Sequence, residues 1–215
     1  MPNHALLGHG TIPDESMQEK PVPYRVEIPE GREPLVHILN HTGSEKLLDT
    51  RQRMFRTIYD APETTLSARE REGMRIMGAA RTNCPICAGM RLWRDWPGFA
   101  GGEIPEEFYQ NAVDCNYDWE GFTPREKLLI EYADRFERDI ESINGDDVLW
   151  ERMHALLTEA EIGDTTLMLG CWVGTGRVLK ALGIGSVCVV PPSPETLAAL
   201  RNDQLSEQPD LVSAE

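Results

Sequence analysis

Between residues 33 and 185 apolar positions recur at three- and four-residue spacing, the pattern of helices with one buried face. The segments EPLVHILNH and SEKLLDTRQRMFRTIY carry it first. LSAREREGMRIMGAAR begins on Ser67, a good N-cap, and Glu70 three residues later completes a capping box. NCPICAGMRLWRDW follows, and IPEEFYQNAV reads as a short helix. TPREKLLIEYADRFERDI opens with Thr123 as cap and Pro124 at the first helical position, where a missing N–H is tolerated. GDDVLWERMHALL and TEAEIGDTTLMLGCWVGTGRVLKALG complete the series, the latter capped by Thr158 and stopped near Gly183. No stretch alternates like a run of strands, and no internal repeat is present. The predicted fold is all-α.

The last long helix differs from the others. From Ile162 to Leu182 it is apolar on nearly every side, so burial all round is expected. It also carries Gly163, Gly170, Gly174 and Gly176. Each glycine inside a helix costs about 1 kcal/mol against alanine, and close helix–helix approach is the expected compensation. Such a helix in a chain of this size points to subunits packed together.

Residues 1–32 are rich in Pro and Gly and read as an N-terminal arm that a partner subunit could hold. Within it KPVPYRVEIPEG alternates weakly, as one extended segment would. Residues 186–215 read as a C-terminal tail, proline-rich then polar, with one short helix near Ser193–Leu200. The helical domain is expected over 33–185.

A chain of 215 residues suits one domain with arms and can bury a sizeable core. Asp and Glu outnumber Lys and Arg by 36 to 21, a formal net charge of −15. A surface that acidic repels phosphate backbones and anionic lipid, so neither nucleic acid nor a membrane is an expected partner. No apolar run approaches the roughly 20 residues of a membrane span. The start, MPNHALLGHGTIPDES, lacks the basic and apolar regions of a secretory signal, so a cytoplasmic location is expected. Cysteines stand at 84, 87, 115, 171 and 188, an odd count that argues against a structural disulfide framework in that compartment.

Cys84 and Cys87 lie two residues apart in RTNCPICAGMRLWRDW. A structural zinc site wants four ligands, and this is one pair only. His4, His9, His37, His41 and His154 do not have ligand spacing to it, so no metal is expected. His37 and His41 share a helix face but lack a third ligand nearby, and they read as ordinary partly buried side chains. Two buried cysteines without chemistry form a second alternative, since free Cys is among the most buried residue types. The redox reading fits the local physics better. Asn83 is a good N-cap and Pro85 falls in the first turn, so a helix is expected from Cys84. Orphan N–H groups and the helix dipole at that end favour a thiolate, and favour Cys84 as the more reactive sulfur. The i,i+3 spacing puts both sulfurs on one face, close enough to bridge. Arg91, expected one turn beyond Cys87, adds a charge that also favours a thiolate. The remaining cysteines read as small apolar packing, with Cys115, in the polar stretch VDCNYDW, a candidate additional exposed thiol.

Glu72 is the second feature. At about 100° per residue, Gly73, Ile76, Met77, Ala79 and Ala80 share one broad arc. Glu72 falls inside that arc, whereas Arg71 and Arg75 fall on the polar side. An inward carboxylate should have a raised pKa, which suits a proton shuttle near neutral pH. The alternative is pairing with a buried arginine such as Arg177. Trp93 and Trp96 follow the cysteines closely; they read as the lining of a pocket for an apolar substrate, or as helix core or a subunit interface.

LSAREREGMRIMGAARTNCPICAGMR resembles the core motif of the carboxymuconolactone decarboxylase and alkylhydroperoxidase D-like superfamily. There a glutamate precedes a C-x-x-C by a dozen residues; here Glu72 precedes Cys84 by twelve. PLVHILNHTGSEKLLDTRQRMFRTIY is similar to the family's first helices, and FTPREKLLIEYADRF with LTEAEIGDTTLMLGCWVGTGRVLKALGI to its second half. The resemblance implies a compact helical bundle of the alkylhydroperoxidase D-like type, assembled as a trimer or hexamer. It implies Cys87 as the peroxide-attacking cysteine, Cys84 as the resolving one and Glu72 as the proton-relay acid. Two residues depart from the motif: its histidine position is Arg91, and Ile86 stands between the cysteines. Arginine cannot relay a proton at neutral pH, though it can favour a thiolate or bind an anion. Helix-terminus physics favours Cys84 as the nucleophile and the resemblance favours Cys87, so the order stays open.

The leading expectation is a thiol–disulfide oxidoreductase with peroxidase-like activity on a small molecule. It needs no cofactor and is recharged by a protein or small-thiol reductant. The alternative is a non-redox decarboxylase or lyase acting on a small carboxylated lactone, with Arg91 or Arg177 holding the carboxylate and Glu72 as acid or base. A third reading is a non-catalytic subunit whose helices serve assembly.

Overall fold

The computed structural model describes residues 24–59, 64–96, 99 and 101–184. Among them are ten helices and no strand. They are α1 (Pro34–His41), α2 (Glu45–Tyr59), α3 (Ala68–Arg81), α4 (Pro85–Gly89) and α5 (Leu92–Asp95), followed by α6 (Glu106–Val113), α7 (Pro124–Arg138), α8 (Ile140–Asn144), α9 (Asp147–Leu156) and α10 (Glu159–Ala181). No described helix is long and apolar enough to cross a membrane. Cys188, the short helix expected at 193–200 and residues 1–23 of the expected arm lie outside the described residues.

Helix α3 is the spine. It packs against α7, α10, α6 and α4, and its residues from Glu70 to Ala79 are all buried. A Cβ on Gly73 would stand 3.1 Å from Ile130 of α7 and 3.2 Å from Phe108 of α6, so only glycine lets the three helices approach this closely. The expectation that Arg71 and Arg75 face solvent fails, because both are 3% exposed. No polar face remains on a helix covered from four directions, and its arginines must find partners inside.

Three capping boxes start α3, α7 and α10, Ser67 with Glu70, Thr123 with Glu126 and Thr158 with Glu161. Each box glutamate also meets an arginine from a neighbouring helix. Arg125 donates to Glu70 at 2.6 Å and to Glu161 at 2.8 Å, and Arg69 donates to Glu126 at 2.7 Å. The same residues therefore begin α3, α7 and α10 and fasten their N-termini together. Arg125, the Thr158 N–H and the Thr65 hydroxyl hold the Glu161 carboxyl down at about 2.

Helix α3 ends in a Schellman motif. Asn83 takes a left-handed conformation (φ 51°), its N–H donating to the Ala80 carbonyl at 3.2 Å, while the Cys84 N–H donates to that of Ala79 at 3.0 Å. Asn83 thus terminates one helix rather than capping the next. Asn is one of the few residues that tolerates this backbone region, which is why the position reads equally well as a cap.

Helix α10 lies against α3, α7 and α1 but is not buried all round within the chain. Leu167 is 65% and Val178 51% exposed, and a Cβ on Gly163, Gly170 or Gly174 would meet nothing within 4 Å. Only Gly176 faces a close neighbour, Thr82 at 3.2 Å. Near its C-terminus the Arg25 N–H donates to the Leu182 carbonyl at 3.1 Å. The stretch through Tyr24, Val26 and Ile28 therefore packs on its own chain, against Leu35, Ile38, Leu179 and Ile184.

Candidate functional site

Cys84 and Cys87 form a disulfide, with their Cα atoms 5.4 Å apart. Cys84 precedes α4, its carbonyl accepts the Ala88 N–H at 2.9 Å, and its sulfur receives the Cys87 N–H at 3.4 Å. The helix-terminus donors therefore serve Cys84, as expected for a residue at that end. Access divides the other way. Cys84 is 6% exposed and packed among Leu35, Ile38 and Leu179. Cys87 is half-buried and lines a cavity of about 90 Å³.

The cavity wall is mostly apolar and aromatic, with Leu35, Phe55, Tyr59, Met90, Trp96 and Trp172, and two charged residues, Arg51 and Arg75. Trp172 donates its indole N–H to the Tyr59 hydroxyl at 2.6 Å, with the rings stacked at 6.5 Å. Trp96 lies 5.3 Å from the Tyr59 ring on another side. Burial pushes the Tyr59 phenol well above its ordinary value, so it stays neutral.

Beneath the disulfide lies a buried ion pair. Glu72 is fully buried and is bridged to Arg75, three residues on, through Nε–Oε1 and an Nη2–Oε2 bond of 3.2 Å. Glu72 also accepts the Leu92 N–H at 3.1 Å and the Tyr109 hydroxyl at 2.7 Å. Burial, and then the charge of Glu72, push the Tyr109 phenol up. Arg75 donates onward to the carbonyls of Cys87 and Met90, both at 2.7 Å. Burial acts to lower the Arg75 pKa, but the charge and hydrogen bonds of Glu72 leave it raised overall. The pair thus holds the segment between α4 and α5 at both ends, Arg75 at Cys87 and Glu72 at Leu92. Glu72 reaches the disulfide through Arg75, not directly, and its alternative partner Arg177 is elsewhere.

The other expected site residues are placed differently. α4 stops at Gly89, so Arg91 does not extend the cysteine helix but precedes α5. It faces α6, where it pairs with Glu106 (Nε–Oε2 2.9 Å) and lies 4.2 Å over the Tyr109 ring. Trp93 packs half-buried against the main core and is not in the cavity wall, where Trp96 stands instead. Arg177 has a 66% exposed side chain paired with Glu137 at 3.0 Å, on the outer side of α10. Cys115 is half-buried with the Arg81 Nη2 2.9 Å from its sulfur. His37 and His41 stack on each other at 5.9 Å.

Sequence reasoning missed Arg75, Arg51, Tyr59 and Trp172. Arg75 had a readable signal, since an acid and a base at i,i+3 on one helix are neighbours, and once Glu72 turns inward its partner must follow. Arg51 had none, because its charge alone assigns it to solvent. Compared with protein-family models, curated proteins and solved structures, the chain matches none of them.

Proposed function

We propose that the chain is a thiol-dependent oxidoreductase with peroxidase-like activity, of the alkylhydroperoxidase D-like type its motif resembles. The observation that carries this reading is Cys87 in the wall of an apolar cavity, with Cys84 at bridging distance behind it. The Cys87 thiolate attacks the terminal oxygen of a hydroperoxide, the O–O bond breaks, and the alkoxide leaves as the alcohol after taking a proton. Cys87 is left as a sulfenic acid. The Cys84 thiol attacks that sulfur, the disulfide forms and water departs. Two thiols thus supply both electrons without a cofactor, and an external dithiol, or two equivalents of a monothiol, restores them. The apolar wall suits an organic hydroperoxide. Arg75 shares the cavity wall with Cys87 and holds its carbonyl, while Glu72 balances its charge.

The test is the intact mass of the reduced protein before and after one equivalent of tert-butyl hydroperoxide, with peptide mapping. The expected change is a loss of two hydrogens at Cys84–Cys87, reversed by a dithiol. Thiols that remain unreacted would overturn the reading, and turnover of a lactone that survives their alkylation would favour the lyase.

The same reading implies a homo-oligomer. The exposed stripe of α10, with Gly163, Leu167, Gly170, Gly174 and Val178 at three- and four-residue spacing, supports a second copy as its cover. Sedimentation should give a trimer or hexamer, and Leu167→Glu should shift it to monomer. A monomeric unsubstituted chain would sink this.

A further inference from the structure

The two arginines in the cavity wall differ in one respect. Arg75 is neutralised by Glu72. Arg51 has no carboxylate partner among the described residues; its Nη2 donates to two neutral acceptors, Asn40 Oδ1 at 3.1 Å and the Leu39 carbonyl. That carbonyl belongs to the last turn of α1, whose end carries the equivalent of only about half a negative charge. Cys171 offers no countercharge, because burial pushes its thiol up to about 11 and leaves it neutral near pH 7. The Arg51 Nε–H is buried and has no hydrogen-bond partner. Arg51 as a whole is half-buried; a screened donor left unmade is destabilising, and a partly desolvated cation without its anion more so.

We infer that the cavity takes a small apolar carboxylic acid as its anion, with the carboxylate on Arg51 and the apolar body against Phe55, Tyr59 and Trp172. The guanidinium fork matches a carboxylate in shape and charge. A phosphate dianion would need more donors than one half-engaged arginine supplies, and the rest of the wall is apolar. A cavity of about 90 Å³ keeps the ligand small. An apolar body of about three to four carbons fits that scale, since benzene, with six, takes a cavity of roughly 150 Å³. The inference rests on the proposed redox function only for what stands at the Cys87 end, which would be the hydroperoxide group of such an acid.

The experiment is titration calorimetry on the full chain in its disulfide form, comparing butanoate with butanol and pentanoate with pentanol. Each acid should bind at least about tenfold more tightly than its alcohol, the scale of a charge-assisted hydrogen bond. Arg51→Met should bring each pair to within about twofold, while Arg51→Lys should keep part of the preference. Equal binding of acid and alcohol, or no binding of either, overturns the inference without recourse to any variant, as does a preference that survives Arg51→Met. Oxidation of Cys84–Cys87 by neutral tert-butyl hydroperoxide in the absence of acid preference would leave the redox function standing and remove this inference. Acid preference with peroxide-inert thiols would do the reverse.

Discussion

Arg75→Leu is expected to lower the free energy of unfolding by about 3–5 kcal/mol, the scale of breaking a buried ion pair from one side. The argument is local. Removing the guanidinium leaves Glu72 fully buried without its countercharge and takes the donor from the carbonyls of Cys87 and Met90. For a chain of this length each 1 kcal/mol shifts the midpoint by about 2–4 °C, so a loss of roughly 10 °C is expected in a thermal melt. Replacing both partners, Glu72→Leu with Arg75→Leu, should recover only part. It removes the stranded charge but leaves the Leu92 N–H, the Tyr109 hydroxyl and both carbonyls without the bonds they now make. A change below about 1 kcal/mol for Arg75→Leu would mean that water reaches the pair.

The second large effect is on turnover and is unequal between the cysteines. Under the proposed function, Cys87→Ser should abolish the reaction with hydroperoxide at its first step. Cys84→Ser should release one equivalent of alcohol and stop, with Cys87 trapped as a sulfenic acid that a dimedone-type reagent labels. The asymmetry follows from access, since Cys87 lines the cavity and Cys84 is packed away from it. Quenched-flow measurement of alcohol release, with mass mapping of the label, reads both outcomes. A sulfenic acid on Cys84 in the Cys87→Ser variant would reverse the assignment and return the decision to helix-terminus electrostatics.

Much of the fold was legible because helix starts are written locally. Ser67, Thr123 and Thr158 each stand three residues before a glutamate, and each begins a helix. What local pattern does not carry is which charges go inside. Glu72 was found because it interrupts an apolar arc; Arg75 and Arg51 were not, because a long cation on an amphipathic helix reads as solvent-facing until its neighbours are known. Arg91 was misplaced for a different reason. Its role assumed that one helix continued past Cys87, and α4 stops at Gly89, which redirects the side chain to Glu106. The apolar run of α10 misled in the opposite sense, since hydrophobic composition on every side does not say how many of those sides the same chain covers.

The short helix that bears the cysteines has a consequence for motion. α4 holds five residues, too few for a helix to persist by itself in water, where about twelve or more are needed. Its order is borrowed from α3, through Arg75 at one end and the Schellman turn at the other. Local opening of such a segment takes far less free energy than opening the spine. The molecule is therefore divided by timescale. The residues that would exchange a bond between sulfurs can shift or fray as a unit, while the charges that hold them stand on a helix buried from Glu70 to Ala79.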